Sequence, residues 1–197
     1  YKMRNGWVDS GYTGVVYRPA NNNWYYVKNG VLDRSYTGLA PRVENGDYCY
    51  VKKGMVDWSY TGMASYGNKQ GYVKNGIYQK TPDGLNYLNS VWYKMRNGWV
   101  DSGYTGVVYR AANNNWYYVK NGELDWNYTG LALRVETGDW YYVKDGVLDW
   151  GYTGMAFYGN KQGYVKNGAY QKIPDGLNYL DGVWYKMRNG WVDSGYT

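Results

Sequence analysis

Apolar and polar positions in this chain fall into short alternating runs, each broken by a two-residue turn. A representative stretch reads Trp24-Tyr25-Tyr26-Val27-Lys28, then Asn29-Gly30, then Val31-Leu32-Asp33. Asn-Gly between two β-forming runs is a strong hairpin signal, because both residues accept the positive φ of a type I′ turn. The dipeptide or a variant recurs at Asn5-Gly6, Asn29-Gly30, Lys53-Gly54, Asn75-Gly76, Asn97-Gly98, Asn121-Gly122, Asp145-Gly146, Asn167-Gly168 and Asn189-Gly190. The steps are 24, 24, 22 and 22 residues, and the same four follow again. A period of this size predicts a repeat array whose units cannot bury a core singly and must stack.

Hairpin register assigns the faces. Counting outward from the turn, Lys28 pairs with Val31, Val27 with Leu32, and Tyr26 with Asp33. The residue two before each turn is Val or Met, as at Val27, Val51, Val73 and Met95, and its partner is apolar (Leu32, Val56, Tyr78, Val100). That pair is expected to face the core, together with Tyr25 and its equivalents Cys49 and Gly71. Trp24, Tyr26, Lys28 and Asp33 are then expected on the outer face. Glu123, in the place of Val31, would pair with Lys120 in solvent.

A second fixed point is a glycine eight residues after each turn glycine: Gly14, Gly38, Gly62, Gly84, Gly106, Gly130, Gly154 and Gly176. Six of these end Tyr-Thr-Gly and two end Pro-Asp-Gly, and an apolar residue always follows. A glycine kept while its neighbours change is expected at a positive-φ bend between hairpins. Residues 1–92 and 93–184 are near-copies differing at 17 of 92 positions, and 185–197 restarts a third. The fold expected is an all-β tandem β-hairpin solenoid of 22–24-residue units. Residues 1–197 read as a single array that both starts and stops inside a repeat, as a segment of a larger protein would.

Composition sharpens the picture. Twenty-eight Tyr and 11 Trp stand against one Phe, and such rings suit half-wet, half-packed surfaces. The net charge of +6 comes from spread cations, largely one Lys before each turn, and not from a basic block. Solvated edge lysines that discourage aggregation account for them, or mild attraction to an anionic polymer; nucleic acid is not the expected partner. The single cysteine, Cys49, has Tyr141 as its counterpart and excludes an intrachain disulfide. No apolar run is long enough to span a membrane as a helix.

The string Trp-Tyr-Tyr-Val-Lys-Asn-Gly followed by a Thr-Gly bend resembles the choline-binding or glucan-binding (cell-wall-binding) repeats of Gram-positive surface proteins. The resemblance runs along the whole chain and implies stacked hairpins and an extracellular, secreted or cell-wall-associated location. It implies binding to choline on teichoic acid, to α-glucan, to peptidoglycan-associated polymer or, as in related toxin repeats, to host glycan. In that family a choline cage combines an aromatic of the Trp-Tyr-Tyr strand with a Trp after Thr-Gly. The first maps onto Trp24, Tyr26, Tyr48, Tyr50, Trp116, Tyr118, Trp140 and Tyr142. The second is replaced by Val15, Leu39, Met63, Val107, Leu131 and Met155, and the units are two to four residues longer. Both departures weigh against choline and leave a glycan or wall polymer standing.

The candidate ligand-binding residues are therefore those eight rings, with Trp58, Trp126 and Trp150 on the connections as further sugar platforms. Stacking of Trp24 and Tyr26 against a neighbouring hairpin is the competing role for the first set. The repeated acids Asp33, Asp57, Asp125 and Asp149 are equivalent to one another, unlike a hydrolytic pair, and read as satisfying the bends. With no His, one replaceable Cys, no phosphate loop and no clustered oxygens, neither catalysis, a metal nor a cofactor is expected. The expected function is a non-catalytic carbohydrate or cell-wall-polymer binding module. A structural spacer or self-association stalk is the alternative.

Overall fold

The computed structural model describes residues 1–42 and 44–195; Tyr196 and Thr197, the end of the incipient third copy, lie outside the described residues. The chain divides into two compact units, Tyr1–Ser90 with Met95–Val100, and Val91–Lys94 with Asp101–Thr197.

Within the first unit the repeating motif has three strands. Gly14–Arg18 pairs antiparallel with Asn23–Lys28, which pairs across Asn29-Gly30 with Val31–Leu32. The motif recurs as Gly38–Pro41, Tyr48–Lys52, Met55–Val56, and as Gly62–Tyr66, Lys69–Lys74, Ile77–Gln79. In the second unit it runs Gly106–Arg110, Asn115–Lys120, Glu123–Leu124, then Gly130–Leu133, Trp140–Lys144, Val147–Leu148, then Gly154–Tyr158, Lys161–Lys166, Ala169–Gln171. Gly176–Leu180, Val183–Arg188 and Trp191–Val192 form another. No α-helix occurs among the described residues; single 3-10 turns lie at Pro19–Asn21 and Ala111–Asn113. The fold is all-β and built of tandem hairpins, as the turn ladder predicts.

The register is the one read from the sequence: Val27 faces Leu32, and Lys28 faces Val31. Asn29 and Gly30 have φ of 51° and 76°, the signature of a type I′ turn. Lys120 and Glu123 are paired and both exposed. The bend glycine opens the first strand of each motif, and in four motifs the apolar residue after it enters the core. Val15, Leu39, Val107 and Leu131 are completely buried there.

Each motif is tied to the one before it by its turn glycine. Gly54 donates its N–H to the Tyr36 carbonyl at 2.9 Å and accepts from the Tyr26 N–H at 2.9 Å. Gly76 repeats this with Tyr60 and Tyr50, Gly146 with Tyr128 and Tyr118, and Gly168 with Tyr152 and Tyr142, all at 2.8–2.9 Å. One bridge in each step extends the contact into the sheet, as at Tyr25↔Met55 and Tyr117↔Val147. The residues two before the turns then form an aliphatic column within each unit: Val51 and Val73 in the first, and Val119, Val143 and Val165 in the second, have no exposed surface.

The two-residue difference between motif lengths is absorbed at the end away from the turns. Arg18 connects to Asn23 through four residues, whereas Tyr66 connects to Lys69 through Gly67 and Asn68 alone. The turn end is identical in both.

The close approach accounts for glycine at the second turn position. At Gly54, with φ of +77°, a Cβ would lie 2.5 Å from the Asp33 carbonyl oxygen and 2.8 Å from the Arg34 Cα. Gly46, with φ of +75°, has nothing within 4 Å. Gly54→Ala is therefore expected to cost the left-handed penalty of about 1–2 kcal/mol together with an overpacking term of about 1–3 kcal/mol. Gly46→Ala should show only the first. Urea denaturation of the two variants tests this; equal losses would refute the role assigned to the turn contact.

Candidate functional site

The Tyr-Thr-Gly bend uses all its polar groups internally. The Tyr hydroxyl donates to the carbonyl three residues on, as from Tyr60 to Met63 at 2.6 Å and from Tyr104 to Val107 at 2.8 Å. The Thr hydroxyl accepts the N–H of the first turn residue of the same motif, as from Lys53 to Thr37 and from Asp145 to Thr129, both at 3.1 Å. In the Pro-Asp-Gly bends a carboxylate takes the same role: Asn97 donates to Asp83 and Asn189 to Asp175, each at 2.6 Å. Thr and Asp exchange here because each offers an oxygen acceptor at that place.

The bend Tyr also lies flat against a strand Tyr. Tyr26 stacks on Tyr36, Tyr50 on Tyr60, Tyr118 on Tyr128 and Tyr142 on Tyr152, with centroids 3.7–3.9 Å apart and planes within 22°. This corrects the outward assignment of Tyr26 and Tyr118, which are only 7% exposed; Tyr50 and Tyr142 are half-buried. Alternation along the middle strand does sort the two faces, but the second is covered by the bend. Each Tyr26-type ring has a matching Tyr ten residues later, the one sequence signal that could have revealed the stack.

Trp24 and Trp116 are half-buried under the protein's own cations. The Arg42 guanidinium sits 4.1 Å from the Trp24 ring centroid and that of Arg134 4.5 Å from Trp116, a cation–π arrangement. Tyr17 and Tyr109 cover these indoles from the neighbouring strand, at 5.1 and 5.2 Å. Tyr48 meets Tyr66, Tyr78 and Trp99 edge-on. Trp140 meets Tyr158 and Trp191 in the same way, at 4.4 and 6.1 Å.

The connection tryptophans behave differently. Trp58, Trp126 and Trp150 are 42%, 49% and 51% exposed. Each follows an acid whose carboxylate or carbonyl shapes the bend. The Asp57 carboxylate accepts from the Ser59 N–H and hydroxyl at 3.0 and 2.6 Å, and that of Asp149 from the Gly151 N–H at 2.9 Å. Hydrogen bonds from Ser59 hold the Asp57 carboxyl below its ordinary range, and those from Ser35 do so for Asp33. These acids are turn-forming groups. Trp126 borders a shallow hollow of about 520 Å³ with Lys120, Asp125 and Asn127. In the same unit a larger cleft of about 600 Å³ is walled by Trp140, Tyr141, Tyr170 and Trp191. The sequence singled out Trp140 but missed Tyr170 and Trp191, which reach the cleft from the next two hairpins.

Cys49 is fully buried opposite Ile77, and burial raises its thiol pKa. No helix is long and apolar enough to cross a membrane among the described residues.

Tandem three-stranded motifs with glycine-tied turns and stacked Tyr pairs at four of the bends define an all-β hairpin-repeat protein. The choline-binding repeat model matches residues 11–33, 103–125 and 127–149, so these three segments of the chain are choline-binding repeats. No curated protein matches the sequence. Among solved structures, choline-binding protein F from Streptococcus pneumoniae is similar at 23% identity and a TM-score of 0.33, over 92% of this chain and 58% of that one. An alternansucrase in complex with isomaltononaose is similar at 20% identity and a TM-score of 0.28, over 84% of this chain and 12% of that one. The modular autolysin LytC from the same Streptococcus, in complex with a synthetic peptidoglycan ligand, gives 14% identity and a TM-score of 0.25, over 93% and 49%. The chain thus spans just over half the length of choline-binding protein F.

The stacked Tyr pairs predict an alkaline transition. Burial, then the neighbouring Tyr26 and Tyr66, pushes Tyr36 from 10.0 up to about 12, and burial with Tyr118 and Tyr158 does the same to Tyr128. A raised folded-state value favours the neutral phenol, so this stability is complete below the unfolded value near 10 and declines as pH rises through about 12. Urea midpoints should therefore fall between those limits, in step with a late phase of tyrosinate absorbance. Tyr36→Phe with Tyr128→Phe should flatten that fall; an unchanged pH profile would refute the assignment.

Proposed function

We propose that this chain is a non-catalytic glycan or cell-wall-polymer binding module of an extracellular, secreted or wall-associated bacterial protein. The observation that carries this reading is the exposure of Trp58, Trp126 and Trp150 in an array that buries or covers most of its other rings. An indole half-open to solvent on a rigid bend can take the apolar C–H face of a sugar, and several such weak contacts acting together give useful avidity. The three segments that match the choline-binding repeat model support attachment to a wall polymer.

The post-glycine positions favour a neutral saccharide over a quaternary ammonium group. Val15, Leu39, Val107 and Leu131 have no exposed surface, so these residues serve the core and supply no cage wall. The Trp24 and Trp116 faces already carry arginine. A spacer or stalk is the second reading, favoured by the amount of aromatic surface spent on internal stacking.

Retention on immobilised wall polymer, α-glucan and mucin separates the two. Trp58→Ala, Trp126→Ala and Trp150→Ala together should lower retention at least tenfold, taking about 1 kcal/mol or less per exposed ring contact. Far-ultraviolet circular dichroism should be preserved. Retention that survives all three substitutions points to the spacer reading or to other rings, and sinks the platform role.

A further inference from the structure

The two near-copies differ at residues that line a cleft of the second. In the first copy, Cys49 is bridged to Ile77 across adjacent motifs; in the second, the equivalent bridge joins Tyr141 to Ala169. A small residue beside a large one has become a large one beside a small one. Cys49 is completely buried and Ile77 stands 41% exposed above it. In the second copy the aliphatic branch is gone from Ala169, and Tyr141 forms a wall of the cleft of about 600 Å³. A third difference, Tyr48 against Trp140, falls in the same wall.

The lining indicates an occupant. Trp140 and Tyr141 form one side, while Tyr170 stacks on Trp191 at 4.8 Å to form the other. Asp139 and Lys172 also line it, one acid and one cation. A second ammonium, that of Lys161, lies 5.9 Å from the Trp191 centroid. One acid and one cation leave the lining without net charge, which favours neither a cationic head group nor a phosphate. Aromatic walls with a few hydrogen-bonding groups, in a cleft within the size range of small-ligand sites, suit a neutral ring bearing hydroxyls.

We propose that the second copy alone holds a saccharide-binding cleft between Trp140–Tyr141 and Tyr170–Trp191, opened by the exchange of Ile77 and Cys49 for Ala169 and Tyr141. This rests on the glycan-binding reading but assigns it a place distinct from the exposed connection tryptophans. The copies are then not equivalent: a chain with two similar halves has one such cleft.

The test is titration of the whole chain, followed by tryptophan fluorescence and calorimetry, with a glucose trisaccharide, an N-acetylglucosamine trisaccharide and choline chloride. One of the saccharides should saturate the cleft at one equivalent per chain, and choline should not compete. Tyr141→Cys with Ala169→Ile installs the pair that the first copy already accommodates, so folding should survive, as circular dichroism checks. That variant should weaken the one-equivalent binding at least tenfold, and Cys49→Tyr with Ile77→Ala should raise the stoichiometry to two. Saccharide binding that is unaltered by the first exchange overturns the cleft and leaves the glycan-binding reading intact. Absence of binding to either saccharide, with no retention on polymer, overturns both, and saturation by choline overturns the neutral-ligand assignment.

Discussion

The pair of backbone hydrogen bonds made by the turn glycines Gly30, Gly54, Gly76, Gly122, Gly146 and Gly168 is the constraint on which the array depends. A hairpin this short buries too little apolar surface to stand alone. Its turn is held from behind, the glycine N–H on a bend Tyr and its carbonyl on the middle strand of the preceding motif. Because that strand is also flanked by its own two partners, one contact fixes both spacing and rotation. The aliphatic column beneath it, from Val51 to Val73 and from Val143 to Val165, can then close without gaps. The requirement for glycine, the positive φ at the turn and the Thr or Asp acceptor beside it all serve the same joint.

Aromatic surface is divided between this joint and the solvent. Four Tyr pairs lie face to face inside the bends, and two indoles are roofed by arginine. The rings left open to solvent include the connection tryptophans, and also Tyr87, Tyr179 and Trp184. Under the proposed glycan-binding reading, contact with a ligand has to come from rings that the scaffold does not consume.

The hairpin turns, their register and the aliphatic column were legible in the sequence, because type I′ chemistry and strand alternation are local rules. Val27 opposite Leu32 and Lys120 opposite Glu123 follow from counting outward from a turn. The fate of Tyr26 was not legible, since alternation says which side a ring leaves the strand and not what meets it there. Its partner, Tyr36, arrives from a bend with no regular structure. The first strand of each motif was hidden for a related reason: Gly38 reads as a bend from its residue type, while its pairing with Val51 depends on a contact 13 residues away. Of the candidate site, exposed Trp58, Trp126 and Trp150 could be suspected because the equivalent positions hold Arg34, Lys80 and Ser102, a mixture expected at the surface. The cleft could not, because its walls come from three successive hairpins.

The four-residue and two-residue connections at the end opposite the turns have a consequence for how such a chain can change. The joint that sets the rise from one motif to the next never registers their length, since Thr37 reaches the Lys53 N–H in a long motif as Thr61 reaches the Asn75 N–H in a short one, both at 3.1 Å. Sequence can be inserted, deleted or diversified along that margin while the load path through the glycines stays fixed. The array is in this respect a rack with interchangeable fittings, and new surface chemistry can arise on it one connection at a time.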